Sequence, residues 1–346
     1  MKVLFVGLGS IGQRHLRNLR ALKGEGVEVL AWRARGLDTI VHDDMQAENA
    51  DPAAHYDYRA VPTLEAGLAE RPQITFVCNP TSMHVPVALA ALRAGSHVFL
   101  EKPVASSLTG LDELTEEAQR RTELVVYVGY QWLFHPAIQC LEDLLRDETI
   151  GRVLSVRAEV GGYLPDFHLY EDYRQGYAAR RSLGGGVVLT QSHEINYLCH
   201  LFGAPATVFA VGGHLSDLEI DVEDVAVLTM ACGTRARPLP VTLSMDFLQR
   251  PSVRNCEIIG EHGKIVVDLE AATLVRYGRD GAVSEHRQWP EFRRNDMYVD
   301  QLAHFLACCA GEEAPRCDLR SGAQALKVAL AALRSIETHA AEQVGV

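Results

Sequence analysis

The 346-residue sequence lacks an excess of basic residues. It has 33 Lys and Arg against 45 Asp and Glu, which gives a formal net charge of −12. A protein of this charge has no general attraction for phosphate backbones or anionic lipid. The sequence also has no apolar run close to the roughly 20 residues that a membrane-spanning helix needs. We therefore expect neither nucleic acid nor a membrane as a partner.

Cysteine pairs at metal-site or redox spacing are also missing. The eight cysteines form no CxxC motif and lie mostly in apolar segments, which is typical of reduced thiols in a cytoplasmic protein. The amino-terminal MKVLFVGLGSIG lacks the cleavage pattern of a secretory signal. A length of 346 residues with 47% hydrophobic residues favours a globular protein of two domains.

The first 128 residues alternate short β-branched runs with amphipathic stretches. The predicted strands are 2–6, 27–32, 74–78, 97–101 and 124–128. Alternation of this kind is typical of βαβ units, in which helices cover both faces of a parallel sheet. We predict an α/β fold that begins with a Rossmann domain, a doubly wound parallel sheet, over residues 1–128.

After residue 129 the pattern changes to strand-like runs joined by hairpin turns. The predicted strands are 152–162, 206–213, 224–232, 240–248, 255–260 and 264–269. The turn sequences EHG (261–263) and RDG (279–281) suit hairpins, and two helical patterns close the chain. Residues 129–346 are therefore predicted to form an α+β domain with a large, mostly antiparallel sheet.

A glycine-rich turn, VGLGSIG, follows the first predicted strand and opens a helix. Gly7, Gly9 and Gly12 would permit a tight turn and the close approach of a pyrophosphate to the helix N-terminus. We assign this turn, with Ser10 and Ile11, to a dinucleotide cofactor. The alternative is a cluster of turn glycines that binds no ligand.

The end of the second predicted strand bears on the choice between NAD and NADP. In NAD-binding proteins an acidic residue about 20 positions after the glycines holds the ribose 2′-hydroxyl. The stretch LAWRARG (30–36) has no acid, and Arg33 and Arg35 suit a 2′-phosphate instead. The sequence thus favours NADP over NAD, unless both arginines are solvated loop charges.

Three polar motifs follow predicted strands at the edge of the sheet where open α/β folds bind ligands. They are NPTSMH (79–84), EKP (101–103) and GYQWLFHP (129–136). A proline bond in such a turn can be cis. The motifs add to the predicted cofactor site the residues Asn79, Pro80, Thr81, His84, Glu101, Lys102 and Gln131.

The segment GGGVVLTQSHEINYL (184–198) places His193 and Glu194 inside an apolar run. An HExxH metal site requires a second histidine four residues after the first, and Tyr197 occupies that position. We therefore predict no metal. A core histidine and an acid/base histidine both remain open from these residues alone.

The sequence resembles the Gfo/Idh/MocA oxidoreductases over nearly its whole length. The resemblance rests on GLGSIG, NPTSMH, AGSHVFLEKP, VGYQWLFHP, the GGG segment with its histidine, DVEDVAVL, DFLQRP and FLACCAG. It implies a Rossmann domain, then an α+β domain whose open sheet mediates a homo-oligomer, a dimer or tetramer. It also implies oxidation or reduction of a sugar, polyol or related carbonyl with NAD or NADP.

Residue by residue, the resemblance places the catalytic roles at Lys102 and His193. A histidine can accept or donate the substrate proton near neutral pH, and a lysine ammonium stabilises negative charge on the substrate oxygen. Glu194 is then expected to be a structural partner. The sequence departs from the family pattern where Thr190 and Asn196 replace aspartates and Leu133 replaces an arginine.

The run YEDYRQGYAARR (170–181) is predicted to contact the substrate. Its tyrosines and arginines are spaced as on one helical face, and a guanidinium suits a phosphate or carboxylate. The alternative is an exposed charged helix with two packed tyrosines. The predicted substrate residues are Lys102, Tyr173, Arg174, Tyr177, Arg180, Thr190 and His193.

These observations predict a cytoplasmic NAD(P)-dependent oxidoreductase of a sugar, polyol, sugar phosphate or nucleotide sugar. The SHEINYL segment (192–198) with DYRQGYAAR (172–180) is similar to a subgroup from bacterial polysaccharide and sialic-acid-like sugar gene clusters. Two alternatives remain: a non-catalytic dinucleotide sensor on the same fold, and a reductase of a non-sugar carbonyl.

Overall fold

The computed structural model describes residues 1–34, 38–42, 46–234 and 236–345. Arg35, one of the two arginines assigned to the cofactor, lies outside the described residues. None of the described helices combines the length and the apolar character that crossing a membrane requires.

The amino-terminal part contains a six-stranded sheet. Its strands are β1 (Lys2–Val6), β2 (Glu28–Trp32), β5 (Arg59–Ala60), β6 (Ile74–Val77), β7 (His97–Leu100) and β8 (Val126–Val128). Two short strands, β3 (Ile40–Val41) and β4 (Ala47–Glu48), form a separate pair. The helices are α1 (Ser10–Lys23), α2 (Pro52–Tyr56), α3 (Leu64–Ala69), α4 (His84–Arg93) and α5 (Leu111–Arg120).

All neighbours in this first sheet are parallel, and the strand order is β5-β2-β1-β6-β7-β8. The chain winds outward in both directions from β1, so the order reverses between β1 and β6. Ligands bind at the carboxyl ends of the strands beside such a reversal. The predicted Rossmann fold is confirmed, and the glycine turn lies at the reversal.

The carboxyl-terminal part contains a second, larger sheet. Its strands are β9 (Val153–Gly161), β10 (Thr207–Gly213), β11 (Val225–Thr234), β12 (Arg237–Asp246), β13 (Val253–Gly260), β14 (Gly263–Asp268), β15 (Thr273–Gly278), β16 (Val283–Gln288) and β17 (Glu342–Gln343). The helices are α6 (Pro136–Arg146), α7 (Val187–Thr190), α8 (His193–Phe202), α9 (Arg294–Cys309) and α10 (Leu319–Thr338).

This second sheet has nine strands in the order β16-β15-β14-β13-β9-β12-β11-β10-β17. Among the neighbouring strands that the described residues form in this sheet, only β9 and β12 are parallel. The prediction of a large, mostly antiparallel sheet is confirmed, and both predicted hairpin turns join antiparallel strands. The edge strand β16 was not predicted, because its mostly exposed sequence VSEHRQ has no apolar alternation.

Helix α9 connects the two parts of the molecule. The ring of Phe305 lies 5.9 Å from that of Phe76, 5.2 Å from that of Phe99 and 5.5 Å from that of Tyr127. These three rings belong to β6, β7 and β8 of the first sheet. A helix from the end of the chain therefore packs against the Rossmann part, while the domain boundary at residues 128 and 129 stays a prediction.

The segment 170–181 does not form the single helical face that its spacing suggested. It contains short 3₁₀ turns at Tyr173–Gln175 and Tyr177–Ala179, and a third begins at Arg181. Gly176 separates the first two turns with extended backbone angles, φ −65° and ψ 153°. Because the turns are interrupted, residues four apart here do not share one face.

Candidate functional site

A cleft of about 1680 Å³ opens at the carboxyl ends of the first sheet and continues to β9 and β13 of the second. It brings together most of the residues that the sequence predicted. Those that line it are Gly7, Gly9, Ser10, Ile11, Arg33, Asn79, Pro80, Thr81, His84, Glu101, Lys102, Gln131, Tyr173, Tyr177, Thr190 and His193.

The glycine turn fits a dinucleotide diphosphate. A Cβ on Gly12 would lie 2.4 Å from the carbonyl oxygen of Gly7, so these two residues pack closely behind the turn. A Cβ on Gly9 would meet no described heavy atom within 4 Å, which leaves open space on the cleft side. The first turn of α1 also carries no acidic residue. Free N–H groups and open space at a helix N-terminus are what an anion requires.

Arg33 lies at the end of β2 and lines the same cleft. Its guanidinium donates a hydrogen bond of 2.9 Å to the hydroxyl of Tyr58. Arg33 is therefore at the side of the cleft where the adenosine end of a dinucleotide binds in Rossmann folds.

The EKP and NPTSMH loops are joined by His84. One ring nitrogen of His84 lies 2.8 Å from the carbonyl oxygen of Pro103, and the other lies 2.9 Å from that of Asn79. The histidine is buried, and burial lowers its pKa. The contacts indicate that His84 holds the two loops together. The Lys102–Pro103 bond within this arrangement is cis.

Glu101, in the wall of the cleft, is held by a residue that the sequence did not suggest. A carboxylate oxygen of Glu101 lies 2.7 Å from Nε2 of His15 in α1, and the other accepts the backbone N–H of Lys102 at 3.2 Å. Both side chains are buried. The pair connects the cofactor helix to the loop that carries Lys102.

Lys102 reaches across the cleft to the segment that precedes His193. Its Nζ donates a 2.8 Å hydrogen bond to the backbone carbonyl of Thr190, the last residue of α7. The hydroxyl Oγ1 of Thr190 is buried and has no hydrogen-bond partner among the described residues. A lysine from the first sheet and a histidine from the second part thus meet at one place.

His193 is the first residue of α8 and is only 6% exposed. Its Nε2 lies 3.4 Å from the amide nitrogen of Gln131, which in turn donates to the Tyr298 hydroxyl at 3.0 Å. Burial, together with the charges of Lys102, Arg254 and Arg294, lowers the pKa of His193 well below the ordinary histidine value. The lowered pKa favours the uncharged imidazole at neutral pH, which is the form that accepts a proton.

Glu194 faces away from the cleft into a buried ion pair. Its carboxylate lies 2.8 Å from Nε of Arg254. Arg254 also donates a 2.9 Å hydrogen bond to the side-chain oxygen of Gln191 and lies 4.1 Å from the ring centre of Trp132. Burial raises the pKa of Glu194, and the guanidinium opposes that rise. These contacts agree with a structural role for Glu194.

The structure places the predicted substrate tyrosines and arginines differently. Tyr173 and Tyr177 line the cleft. Arg174 is exposed and pairs with Asp172 at 2.8 Å and with Glu219 at 2.9 Å. Neither Arg174 nor Arg180 is among the described residues that line the cleft, so the structure does not bring these two arginines to the site.

Two groups of cleft residues were missed by the sequence analysis. Arg254 stands on β13 in the buried half of the alternation, with Cys256 and Ile258. A charged residue on the apolar face of a predicted strand was a usable signal. Arg294 and Tyr298 come from α9, and no local pattern indicates them because only tertiary packing brings α9 to the cleft.

Within residues 1–34, 38–42, 46–234 and 236–345, no three His, Cys, Asp or Glu side chains are grouped so that they could hold a metal ion.

Comparison with family models matches both parts of the chain. The model described as "Oxidoreductase family, NAD-binding Rossmann fold" matches residues 1–130. The model described as "GFO/IDH/MocA C-terminal domain" matches residues 138–266. Together the two matches cover well over half of the 346 residues.

Curated relatives match the chain over nearly its full length. Myo-inositol 2-dehydrogenase of Thermotoga maritima is 24% identical over 344 residues, which is 97% of this chain and 96% of the relative. UDP-N-acetylglucosamine 3-dehydrogenase of Acidithiobacillus ferrooxidans is 28% identical over 336 residues, 95% of this chain and 96% of the relative.

Solved structures show the same fold. The WlbA dehydrogenase from Bordetella pertussis, in complex with NADH and UDP-GlcNAcA, has a TM-score of 0.78 at 20% identity and covers 100% of this chain and 99% of its own. The UDP-N-acetylglucosamine 3-dehydrogenase GnnA from Acidithiobacillus ferrooxidans has a TM-score of 0.77 at 25% identity and covers 98% of both chains.

Proposed function

This chain belongs to the GFO/IDH/MocA family of oxidoreductases, and we propose that it transfers a hydride between a nicotinamide dinucleotide and a secondary alcohol or ketone of a sugar-like substrate. The observation that carries the proposal is the meeting of Lys102 and His193 at one cleft with the glycine turn. A dinucleotide sensor would require the glycine turn but neither a proton acceptor nor a cation beside it.

His193 acts as the acid/base group in this proposal. Oxidation of a secondary alcohol releases the hydroxyl proton, and the uncharged imidazole of His193 accepts it. In the reverse reaction the protonated imidazole returns the proton to the carbonyl oxygen. The lowered pKa of His193 favours the uncharged form at neutral pH, which is the form that accepts the hydroxyl proton.

Lys102 stabilises the substrate oxygen. The Nζ atom donates to the Thr190 carbonyl at 2.8 Å, and an ammonium has two further N–H groups with which to contact an oxygen in the cleft. Positive charge at this place stabilises the negative charge that develops as the proton leaves. The same charge disfavours protonation of His193 and so favours the uncharged imidazole before the substrate proton is transferred.

The cofactor is held by the amino-terminal part. The glycine turn and the N-terminus of α1 would take the diphosphate, and the loops that end β6 and β7 would take the nicotinamide end. When bound, the nicotinamide supplies the acceptor or donor of the hydride. We propose NADP rather than NAD, supported by the position of Arg33 in the cleft and the absence of an acid at the end of β2.

The substrate end of the cleft lies between His193 and the segment 163–178. Tyr173 and Tyr177 line it, and tyrosine rings with their hydroxyls suit the mixed apolar and polar surface of a sugar ring. The names of the relatives, an inositol and a UDP-sugar dehydrogenase, support a cyclic polyol or sugar, free or linked to a nucleotide.

A cofactor-fluorescence screen tests the proposed function. The purified chain is incubated with NAD(H) or NADP(H) and with panels of polyols, free sugars, sugar phosphates and nucleotide sugars. We expect at least one compound to change reduced-cofactor fluorescence with time, and His193→Ala to abolish that change. Cofactor binding without turnover on any panel would contradict the proposal and favour the sensor.

A homo-oligomer formed through the second sheet completes the proposal. Phe209 and Val211 on β10 and Val227 on β11 are 42%, 62% and 44% exposed, and Val211 pairs directly with Val227. Exposed apolar side chains that adjoin on one face of a sheet favour contact with a second copy of this chain. Analytical ultracentrifugation of the wild type and of Val211→Lys measures the change in mass.

A further inference from the structure

Arg254 contacts one residue that precedes the proposed acid/base residue His193 in the sequence and one that follows it. Its Nη2 donates to the Gln191 side chain at 2.9 Å, and its Nε lies 2.8 Å from the Glu194 carboxylate. Gln191 and Glu194 flank Ser192 and His193 in sequence. The guanidinium of Arg254 thus connects the short segment that contains His193 to β13.

The guanidinium itself is fixed in position. Its central carbon Cζ lies over Trp132 at 4.1 Å from the ring centre, and Arg254 is 7% exposed. All three partners, Trp132, Gln191 and Glu194, are buried as well. A guanidinium that has its counter-ion, a hydrogen bond and an aromatic face loses little further freedom, so it can hold the histidine segment rigidly.

We propose that Arg254 is the positioning residue of this site: it holds residues 191–194 so that the His193 imidazole faces the cleft. Its positive charge, with those of Lys102 and Arg294, also acts on the imidazole. The inference rests on the proposed function, because a positioned proton acceptor matters only for a reaction.

The charged and titratable groups that face His193 come from several elements. Lys102 follows β7, Arg254 is on β13 and Arg294 begins α9. The positive charges of all three lower the pKa of His193. The phenol of Tyr130 meets the imidazole edge-on at 5.6 Å. Glu194 is on the same helix as His193, but its carboxylate is paired with Arg254. Removal of Arg254 therefore removes one of three cations and frees a carboxylate.

Two variants separate the effect of the Arg254 charge from the effect of its contact geometry. Arg254→Lys keeps the charge but cannot contact Gln191 and Glu194 with two separate nitrogens. Arg254→Gln loses both. We expect kcat to fall by about 10-fold or more in both variants, with the affinity for the cofactor unchanged.

The His193 pKa is measured without a substrate. In protein labelled with ¹³C at histidine Cε1, His193→Gln assigns the resonance by its loss. We expect Arg254→Gln to raise the measured pKa by at least about 0.5 unit and Arg254→Lys to leave it within about 0.2 unit of the wild type. Arg152→Gln is the matched control, because Arg152 pairs with Glu261 at the same 2.8 Å but is 56% exposed and outside the cleft.

The outcomes distinguish this proposal from that of the enzyme function. An unchanged His193 pKa in Arg254→Gln, or wild-type kcat in Arg254→Lys, would overturn the role of Arg254. A raised KM with unchanged kcat and pKa would also overturn it, because Arg254 would then bind substrate only. If Arg254→Gln fails to fold, Arg254→Lys decides the case. Lack of turnover in the wild type contradicts the enzyme function, yet the pKa measurement still reports on Arg254.

Discussion

The ammonium of Lys102 donates its 2.8 Å hydrogen bond to the backbone carbonyl of Thr190 and not to a carboxylate. In the family pattern that the sequence resembles, an aspartate occupies this position. A carbonyl orients the ammonium without neutralising its charge. The full positive charge of Lys102 therefore acts on His193, which is consistent with the lowered pKa of that histidine.

Lys102→Met and His193→Asn are expected to lower kcat by at least roughly 100-fold each. The first removes the cation beside the substrate oxygen, and the second removes the proton acceptor. Binding of the reduced cofactor, followed by fluorescence, should stay within a few-fold of the wild type. Lys264→Met and His286→Asn, both at the surface of the second sheet, are the controls. Unchanged kcat in either cleft variant would show that its assigned role is wrong.

Thr190→Asp is expected to shift the pH dependence of oxidation upward. The new carboxylate lies beside Lys102 and favours the charged form of His193, so the His193 pKa rises. Oxidation requires uncharged His193 and is lost as pH falls through that pKa. The wild-type rate should therefore persist well below pH 6.5, while the acid limb of the Asp variant lies higher.

Thr190→Asn is the control for that shift because it has nearly the shape of Asp without the charge. Its acid limb should coincide with that of the wild type. If Asn and Asp move the limb equally, the shift comes from the altered packing around α7, and the electrostatic account of Thr190 fails.

The regular part of the fold was predictable from the sequence. The parallel sheet follows from β-branched runs such as Ile74–Val77 alternating with amphipathic helices, and the hairpins follow from turn residues between apolar runs. These signals are local and repeated. The polar edge strand Val283–Gln288 has no such signal, since its pairing is decided by a neighbouring strand and not by its own sequence.

The candidate site was predictable where a motif places its residues beside a strand end. Lys102 and the glycine turn belong to this class. His15, Arg254 and Tyr298 do not, because each reaches the site through tertiary packing between distant segments. Spacing along a helix predicts a substrate contact for the arginines of residues 170–181, whereas this segment is a series of short turns in which Arg174 pairs at the surface.

Gly9→Ala and Gly12→Ala are expected to fail in different ways. The Cβ of an alanine at position 9 meets no described atom within 4 Å, so the protein should fold normally but lose cofactor affinity by about 10-fold or more, because the methyl group occupies the diphosphate space. At position 12 the Cβ would lie 2.4 Å from the Gly7 carbonyl oxygen. This variant should melt at a lower temperature.

Thermal melting and a cofactor titration distinguish the two variants. Cofactor affinity equal to that of the wild type in Gly9→Ala would show that the diphosphate does not approach this turn. A Gly12→Ala variant with wild-type melting temperature would show that α1 can move away from Gly7 at little cost.

Arg33→Ala tests the proposed cofactor preference. Loss of a guanidinium that contacts a 2′-phosphate should weaken NADPH binding by about 10-fold to 100-fold and leave NADH binding within about two-fold. Arg59→Ala is the control, since Arg59 is 52% exposed and pairs with Glu70 at 3.0 Å. Equal loss for NADPH and NADH would mean that Arg33 contacts the adenosine without reading the phosphate. Equal affinity of the wild type for both would contradict the NADP preference.

We expect Glu223 to make the folded protein less stable as pH rises. Its carboxylate accepts the backbone N–H of Val188 at 3.0 Å at the start of α7, and it is packed so closely that a Cβ on Gly186 would lie 2.3 Å from it. Burial raises the pKa of Glu223 from 4.5 to about 7. Between these two values the folded state holds a proton that the unfolded state has released, so stability falls with increasing pH over this window.

Glu223→Gln keeps the acceptor for Val188 but has no proton to lose. Urea unfolding gives the free energy of unfolding of the variant and of the wild type at pH 5 and at pH 8. We expect the difference, variant minus wild type, to be larger at pH 8 than at pH 5 by on the order of 2 kcal/mol. Glu116→Gln is the control because Glu116 is 70% exposed, and its difference from the wild type should not change with pH. If the Glu223→Gln difference is also independent of pH, the buried carboxyl does not titrate in this range, and the destabilisation assigned to it is absent.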